Sequence, residues 1–325
     1  MKNVLVSGSS GIVGYGILRS LRKSGKAIRL IGTTIYDDSA AQGFCDIFEQ
    51  ALPTNDVGYI EWLIKTIKKH HIDLIIPGIE VDIYKWVEHI PEIEKSGAKV
   101  LLNNSRLISL CKDKWVFYES MKKLDSPYTI DSSLSSEFDN LSRKFGLPFL
   151  LKPRRGHASR GIVKINDLNR FSKHQADIGP VLIAQPMVGN ENEEFTTSAF
   201  CDGSGGFYAS MTLKRQLSKE GFTEKAEVVK IDEMNDVLLT LCECFKPIGP
   251  TNFQFRKHEE HLKLLEINPR ISSSTSIRTA FGYNECQMAV EYYLENKKPK
   301  QPFIKRGRAI RYTEDLIFYE NRINF

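Results

Sequence analysis

The sequence has no apolar run of the roughly 18–20 residues that a membrane-spanning helix needs. Its opening, MKNVLVSGSSG, has too short an apolar stretch for a signal peptide and is typical of a strand followed by a turn. Its six cysteines lack the paired spacing of zinc or redox sites, and its seven histidines lack metal-ligand spacing. We therefore expect a cytoplasmic protein with reduced thiols that does not act in a membrane.

A large basic surface interleaved with aromatic residues is also missing. The formal net charge of +5 is spread along the chain, apart from one basic run at 297–311. Because nucleic-acid binding needs a larger basic face with aromatic side chains, this run is interpreted as a solvated hinge, and no nucleic-acid partner is expected. A mildly basic protein still favours anionic small molecules such as nucleotides.

Residues 1 to about 110 alternate between apolar runs and amphipathic segments. Strands are predicted at NVLVS and at 27–32, 72–78 and 98–104. One helix is predicted after the glycine turn, where Ile17, Leu18 and Leu21 have helical spacing and Gly25 is a stop, and another at 59–71. Strands that alternate with helices indicate a doubly wound α/β domain with a parallel sheet.

Three glycines, Gly8, Gly11 and Gly14, follow the first strand. Such a turn can hold a pyrophosphate against a helix N-terminus, as in dinucleotide-binding proteins. The spacing here is GxxGxxG, however, and the acid expected after the second strand is missing, since Asp37 comes late. A tight structural turn in a Rossmann-like domain is the favoured interpretation, with NAD-dependent oxidoreduction as an alternative.

The second half has an α+β, antiparallel pattern. Helices are predicted at 106–124, 233–245 and 285–293, and two strands flank a basic, glycine-containing loop in LPFLLKPRRGHASRGIVKI. One hairpin is predicted to turn at 202–206 and another at KHEEH.

The loop between the paired strands is the first candidate for anion binding. Lys152 ends a buried strand, where a charge is costly unless it meets an anion. The segment from Gly156 to Gly161 has the backbone N–H groups and cationic side chains of a phosphate-gripping flap, and Lys114 supplies a second cation. The alternative is a basic surface hairpin.

The second candidate lies where NFQF and LEIN are predicted to pair. Side chains alternate along a strand, so Glu266 and Asn268 share one face, with Gln254 opposite and Arg270 just beyond. Carboxylate and carboxamide oxygens suit Mg²⁺ that takes its remaining ligands from phosphates and water. The alternative is a structural carboxylate–arginine pair at a strand end.

At these residues the chain resembles the ATP-grasp superfamily, especially the large subunit of carbamoyl phosphate synthetase and its single-copy relatives. The motifs that carry the resemblance run in order from IPGIEVD and CKDKWVFYESMKKLDSPY to TNFQFRKHEEHLKLLEINPR and ISSSTSIRTAFG. The resemblance implies a Rossmann-like pre-ATP-grasp domain at 1–110, a small lid subdomain with a linker helix at 111–188, and a larger antiparallel-sheet subdomain with a C-terminal segment at 189–325.

The resemblance also implies roles for individual residues. Lys114 and Lys152 would bind the phosphates, and Gly156, Ser159 and Gly161 would belong to the lid loop over ATP. The hinge that meets adenine would consist of Gln185, Pro186, Met187 and Val188, and Glu194 would hold the ribose. Mg²⁺, or Mn²⁺ instead, would bind Gln254, Glu266 and Asn268. Arg270, Lys214 and Arg215 would lie near the transferred phosphate. Two departures stand out, since Pro186 replaces a usual glutamate, and the longer spacing in GNENEE leaves Glu191 and Glu193 as alternatives to Glu194.

The activity that the resemblance implies is ATP-dependent amide formation between a small carboxylate and an amine, through an acyl phosphate. A homodimer is common for this kind of enzyme. Carbamoyl phosphate synthesis itself is not expected, because the chain lacks the second ATP-grasp copy. The alternatives are an ATP-grasp kinase and a nucleotide-binding module without turnover.

Overall fold

The structure, a computed structural model, describes residues 1–156 and 161–318. Within these ranges no helix is both long enough and apolar enough to span a membrane. None of the six cysteines, all of which lie in these ranges, forms a disulfide bond.

The N-terminal third is built on a five-stranded parallel sheet. Its strands are β1 (Lys2–Val6), β2 (Ile28–Thr34), β3 (Ile47–Gln50), β4 (Leu74–Ile76) and β5 (Lys99–Val100). Their spatial order is β3-β2-β1-β4-β5. The central strands are continuous apolar runs because helices cover both faces of a parallel sheet.

The helices of this part follow the predicted alternation with strands. They are α1 (Ile12–Arg22), α2 (Tyr59–His70), α3 (Glu80–Glu88), α4 (Ile90–Lys95), α5 (Ser105–Cys111) and α6 (Lys114–Lys123). The predicted helix over 106–124 is thus two helices. The break occurs because the side chain of Asp113 accepts a hydrogen bond from the backbone N–H of Trp115 and starts α6 as its cap.

A small antiparallel sheet follows. Its strands are β6 (Phe149–Pro153), β7 (Val163–Ile165) and β8 (Leu182–Pro186), in the order β7-β6-β8. Helices α7 (Phe138–Phe145) and α8 (Leu168–Ser172) cover one face, where Phe149 and Phe171 are fully buried. The strand pair predicted around the basic loop is therefore present as β6 and β7.

The third sheet is antiparallel and has six strands. They are β9 (Glu194–Asp202), β10 (Phe207–Leu217), β11 (Thr223–Val228), β12 (Ile248–His258), β13 (His261–Asn268) and β14 (Arg308–Ile310), in the order β13-β12-β9-β10-β11-β14. The two predicted hairpins are β9–β10 and β12–β13. The associated helices are α9 (Met234–Phe245), α10 (Thr275–Ala280) and α11 (Glu285–Glu295).

The parallel sheet and the large antiparallel sheet share one hydrophobic core. Ile17 and Leu18 of α1 belong to the same buried cluster as Phe200 of β9 and Val290 of α11. Ser20 of α1 links the two parts by hydrogen bonds, since it accepts from Thr279 and from Asn284. The two sheets are therefore held in a fixed relation by packing as well as by hydrogen bonds.

The glycine turn after β1 has a structural role. Gly8 has a φ of +55°, in the left-handed region that favours glycine. A Cβ on Gly14 would lie 2.3 Å from the carbonyl oxygen of Gly8, and a Cβ on Gly78 would lie 2.1 Å from that of Ser7. The loops after β1 and β4 thus pack backbone to backbone.

Replacing Gly78 with Ala is expected to lower the free energy of unfolding by at least about 2 kcal/mol, because the new methyl group meets backbone that has no room to move. Urea unfolding would measure the loss. Gly11→Ala is the matched control, since its Cβ would lie 3.4 Å from the nearest atom in the same turn. Equal stability of the two variants would contradict the close approach of these loops.

Candidate active site

A buried carboxylate lies at the centre of the polar face of the large sheet. Glu194, on β9, is directly opposite Arg215 on β10 and Arg256 on β12, so the three side chains share a face. Arg215 Nη2 donates to Glu194 Oε1 at 2.8 Å, and Arg256 Nη2 donates to Oε2 at 2.9 Å. Only 4% of Glu194 is exposed, and a charge this deep is tolerated because both of its oxygens are paired.

The candidate metal ligands lie on the same face. The sheet register pairs Gln254 with Glu266 and Asn252 with Asn268. Arg215 Nη2 also donates to Gln254 Oε1 at 2.6 Å, and Asn268 Nδ2 donates to Glu266 Oε1 at 2.9 Å. The residues predicted separately for ribose, metal and phosphate thus form one polar network.

The donor atoms of this network fit a hard cation. No cluster of three His, Cys, Asp or Glu side chains with metal-site geometry occurs in residues 1–156 and 161–318. Gln254, Glu266 and Asn268 instead offer one carboxylate and two carboxamides. Such a set suits Mg²⁺ that takes its other ligands from water and nucleotide phosphates.

Lys152 approaches this network from the small sheet. Its side chain is half-buried at the end of β6. Burial, with the positive charges of Arg256 and Lys114, lowers the pKa of Lys152 to about 8, although Glu266 and Glu194 act in the opposite direction. The lysine therefore lies within electrostatic reach of both candidate carboxylates.

The basic loop after β6 is anchored at its beginning. Arg154 donates to both carboxylate oxygens of Asp113, the residue that caps α6. Lys114, the first residue of α6, donates from Nζ to the carbonyl oxygen of Gly156 at 3.1 Å. Gly156 and Gly161 have φ values of +133° and +76°, which favour glycine at both ends of the loop. Ser159 lies outside the described residues.

The segment expected to contact adenine ends β8. Gln185 is buried, and its Nε2 donates to Ser132 Oγ at 2.8 Å. Val188 is buried, Pro186 is half-buried, and Met187 is exposed. This segment leads directly to β9 and therefore joins the small sheet to the large one.

A cleft between the two antiparallel sheets brings many of the predicted residues together. Its lining includes Lys114, Gly156, Gln185, Glu266 and Asn268. Glu80 and Tyr84 of α3 close it on the side of the parallel sheet. Residues from all three sheets or their flanking helices thus meet around one cleft.

The structure separates Lys214 from this arrangement, whereas Arg270 meets the cleft through Glu80, which lines it. Lys214 is opposite Phe195 and lies on the other face of β10 from Arg215, because side chains alternate along a strand. Arg270 is paired with Glu80, whose Oε1 lies 2.9 Å from Arg270 Nη2. Arg215 is therefore the member of the Lys214–Arg215 pair that belongs to the network.

Sequence reasoning missed Arg256, Glu80 and a buried ion pair beneath the network. Arg256 follows Gln254 by two residues, and this alternation was the available signal. Arg278 and Glu285 are fully buried and lie 3.4 Å apart, and Arg278 Nη2 donates to Asn252 Oδ1 at 2.8 Å. No local pattern marks that pair, because Arg278 and Glu285 lie on separate helices, α10 and α11.

Comparison with solved structures defines the class of fold. N5-carboxyaminoimidazole synthetase from Staphylococcus aureus, complexed with ADP, superposes with a TM-score of 0.72 at 16% identity, covering 93% of this chain and 80% of the other. Biotin carboxylase from Campylobacter jejuni gives a TM-score of 0.72 at 15% identity, covering 94% and 74%. The chain therefore has an ATP-grasp fold.

Comparison of the sequence with known families and proteins agrees with the ATP-grasp fold. Residues 181–316 match the family described as "ATP-grasp in the biosynthetic pathway with Ter operon". The carbamoyl phosphate synthase large chains of Methanosarcina mazei and Methanothrix thermoacetophila are both 22% identical, over 87% and 70% of this chain. These matches cover 29% and 24% of those two proteins. The resemblance to the ATP-grasp superfamily is confirmed, and its relatives and structural neighbours are ATP-grasp ligases.

Replacing Lys152 with Met is expected to raise the free energy of unfolding at pH 7 by on the order of 1–2 kcal/mol. The folded-state pKa of about 8 lies below the ordinary 10.5, so the unfolded chain binds the proton more tightly. The charged lysine opposes folding below pH 8, and this penalty is lost as the pH rises from 8 to 10.5.

Urea unfolding of both proteins between pH 7 and 10.5 would measure this change. Lys164→Met, on the neighbouring strand β7, is the control because Lys164 is exposed. A stability difference between Lys152→Met and the parent chain that stays constant with pH would contradict the lowered pKa.

Proposed function

We propose that this protein is an ATP-dependent carboxylate–amine ligase that works through an acyl phosphate and releases ADP and phosphate. One observation carries the proposal. Lys114 lines one cleft together with Glu266 and Asn268 of the large sheet, and Lys152 of β6 lies within electrostatic reach of Glu266. A nucleoside triphosphate with its metal ion requires both kinds of group, cations for the phosphates and oxygen ligands for the metal.

We further propose three domains that correspond to the three sheets. Residues 1–110 form a Rossmann-like pre-ATP-grasp domain, 111–188 the lid subdomain with its linker helix, and 189–325 the larger subdomain with the C-terminal segment. The parallel sheet ends at β5, the small sheet spans β6 to β8, and the large sheet begins at β9, which supports these boundaries.

The nucleotide would lie between the two antiparallel sheets. Lys114 and Lys152 bind its phosphates, the loop from Gly156 to Gly161 covers them, and the segment from Gln185 to Val188 meets the adenine. Glu194 is our choice for the ribose ligand. The carboxylate of Glu193 accepts instead from the side chain of Asn190 at 2.8 Å.

The reaction has two balanced steps. A carboxylate oxygen of the acid attacks the γ-phosphorus of ATP, which forms an acyl phosphate as ADP leaves. The amine then attacks the acyl carbon, phosphate leaves with the bonding electrons, and the amide forms with loss of a proton. Phosphoryl transfer of this kind needs alignment and charge neutralisation more than covalent help from the protein.

The residues of the site supply that neutralisation. Glu266, Asn268 and Gln254 would bind Mg²⁺ or, in its place, Mn²⁺. This ion would offset the negative charge of the phosphates. Arg270 and Arg215 add positive charge on the side of the transferred phosphate. The loop over the phosphates excludes water, so that the acyl phosphate reacts with the amine rather than being hydrolysed.

The partners of this activity are small molecules, a carboxylic acid and an amine. We propose that the enzyme works in the cytoplasm without nucleic acid or membrane, and as a homodimer.

Replacing either Glu266 or Lys152 with Ala is expected to lower ATP turnover at least about 100-fold, the scale of losing a central electrostatic contact. ADP release in the presence of substrates would measure it. Lys164→Ala is the matched control, because this exposed lysine lies on β7, beside β6. Near-normal turnover in either site variant would refute the site assignment.

Hydroxylamine in place of the amine is expected to yield a hydroxamate together with ADP, because it attacks the acyl carbon of an acyl phosphate. A panel of amino acids and sugar acids would be screened with ATP and Mg²⁺. ADP without hydroxamate would indicate a kinase that phosphorylates another group. ATP binding without ADP across the whole panel would indicate a nucleotide-binding module without turnover.

A further inference from the structure

A second cavity, of about 670 Å³, lies outside the proposed nucleotide cleft. It opens at the carboxyl ends of the parallel strands, where the loops after β1, β2, β3 and β4 converge on helix α3. Its volume falls within the range of small-molecule sites. None of the residues assigned above to ATP or metal lines it.

The sheet topology makes this cavity a natural binding place. The strand order β3-β2-β1-β4-β5 changes direction between β1 and β4. In open α/β sheets, ligands bind outside the carboxyl ends of the strands at such a switch point. Gly8 and Ile79, which follow β1 and β4, both line the cavity.

The lining points to an apolar ligand group. Four large apolar side chains around the cavity are strongly exposed, namely Ile35 at 45%, Tyr36 at 59%, Leu52 at 37% and Val81 at 53%. They come from three separate loops or helices, yet they surround one opening. Apolar side chains clustered in this way mark a binding surface.

Asp82, Lys85 and Glu88 bring charge to the lining of the cavity, and the buried one, Asp82, is already satisfied within the protein. The Oδ1 atom of the buried Asp82 accepts hydrogen bonds from Thr54 Oγ1 at 2.6 Å and from Tyr59 Oη at 2.9 Å. Burial raises the pKa of the Asp82 carboxyl group. This group therefore braces α3 against α2 rather than offering a binding site for a cationic ligand.

Helix α3 forms the wall between the cavity and the nucleotide cleft. Tyr84 lines both spaces, Val81 and Lys85 line the cavity, and Glu80 lines the cleft. Glu80 also holds Arg270, the arginine assigned to the transferred phosphate. The cavity and the cleft are thus neighbours across the first turn of α3.

We propose that this cavity binds the apolar side group of the carboxylic acid substrate and directs its carboxylate past Tyr84 toward Arg270. The inference rests on the proposed ligase function and adds the class of acid, one with an aliphatic or aromatic group. The binding energy would come from the apolar area that this group buries against the exposed side chains of the lining.

Binding of 1-anilinonaphthalene-8-sulfonate, measured by fluorescence without ATP, tests the cavity directly. Val81→Asp is expected to weaken binding at least about 10-fold, because it places a charge in the apolar lining. The change suits the fold, since an acidic residue is favourable in the first turn of a helix. Val57→Asp is the matched control, because Val57 is fully exposed and does not line the cavity. Equal affinity of Val81→Asp and the parent chain would overturn the proposal.

Competition by unbranched carboxylates from acetate to octanoate tests the ligand class. Each added methylene is expected to strengthen displacement of the dye by about three- to fourfold, the scale of burying one methylene group. The trend should be lost in Val81→Asp and kept in Val57→Asp. No dependence on chain length would overturn the inference even if ADP formation proceeds. If no ADP forms but displacement of the dye still strengthens with chain length, the ligase function is refuted and the cavity remains a site for apolar acids.

Discussion

The arrangement of the site depends on one carboxylate held between two guanidinium groups. Glu194 lies on β9, between β10 and β12, and the register of both pairs places an arginine directly opposite it. Each oxygen of Glu194 is bonded to one arginine, so neither guanidinium is free to rotate. Because Arg215 also bonds Gln254, this buried cluster fixes the orientation of one candidate metal ligand, and the strand register sets Glu266 opposite it. Strand pairing and charge pairing thus reinforce each other at the same positions.

Several positive groups lie near the proposed nucleotide site. Lys114, Lys152, Arg215 and Arg256 lie there with the carboxylates of Glu194 and Glu266, and the pair of Arg270 with Glu80 lies beside them. Burial, together with the positive charges of Arg256 and Lys114, lowers the pKa of Lys152. Under the proposed function, the phosphates of the nucleotide would raise the pKa of Lys152 again, because an anion nearby favours the charged lysine. These charges support the proposal of nucleotide binding separately from the family resemblance.

The sequence allowed prediction of those features that depend on local pattern. Alternation along β12 and β13 placed Gln254, Glu266 and Asn268 on one face, and the turn residues located both hairpins. Features that depend on distant parts of the chain were missed. Arg256 meets Glu194 across 62 residues, and Arg270 meets Glu80 across 190. The register of neighbouring strands decides the contact of Arg256 and also places Arg215 rather than Lys214 on the face of the network, whereas the packing of α3 against the loop after β13 decides the contact of Arg270. The short edge strand β3 was missed because IFEQ is too short and too polar to stand out.

The contact between Arg270 and Glu80 connects the two cavities in a specific way. A guanidinium has five N–H donors. Within the described residues, Arg270 uses Nε and Nη2 on Glu80 and Nη1 on the carbonyl oxygen of Ile271. Two donors remain, one on each terminal nitrogen, and these can hold an anion while Glu80 keeps the plane of the group fixed. Since Glu80 begins α3, and α3 forms the wall of the apolar cavity, one helix contacts both the proposed acid site and the arginine assigned to the transferred phosphate. The first residue of this helix therefore fixes the position of the guanidinium relative to both proposed sites.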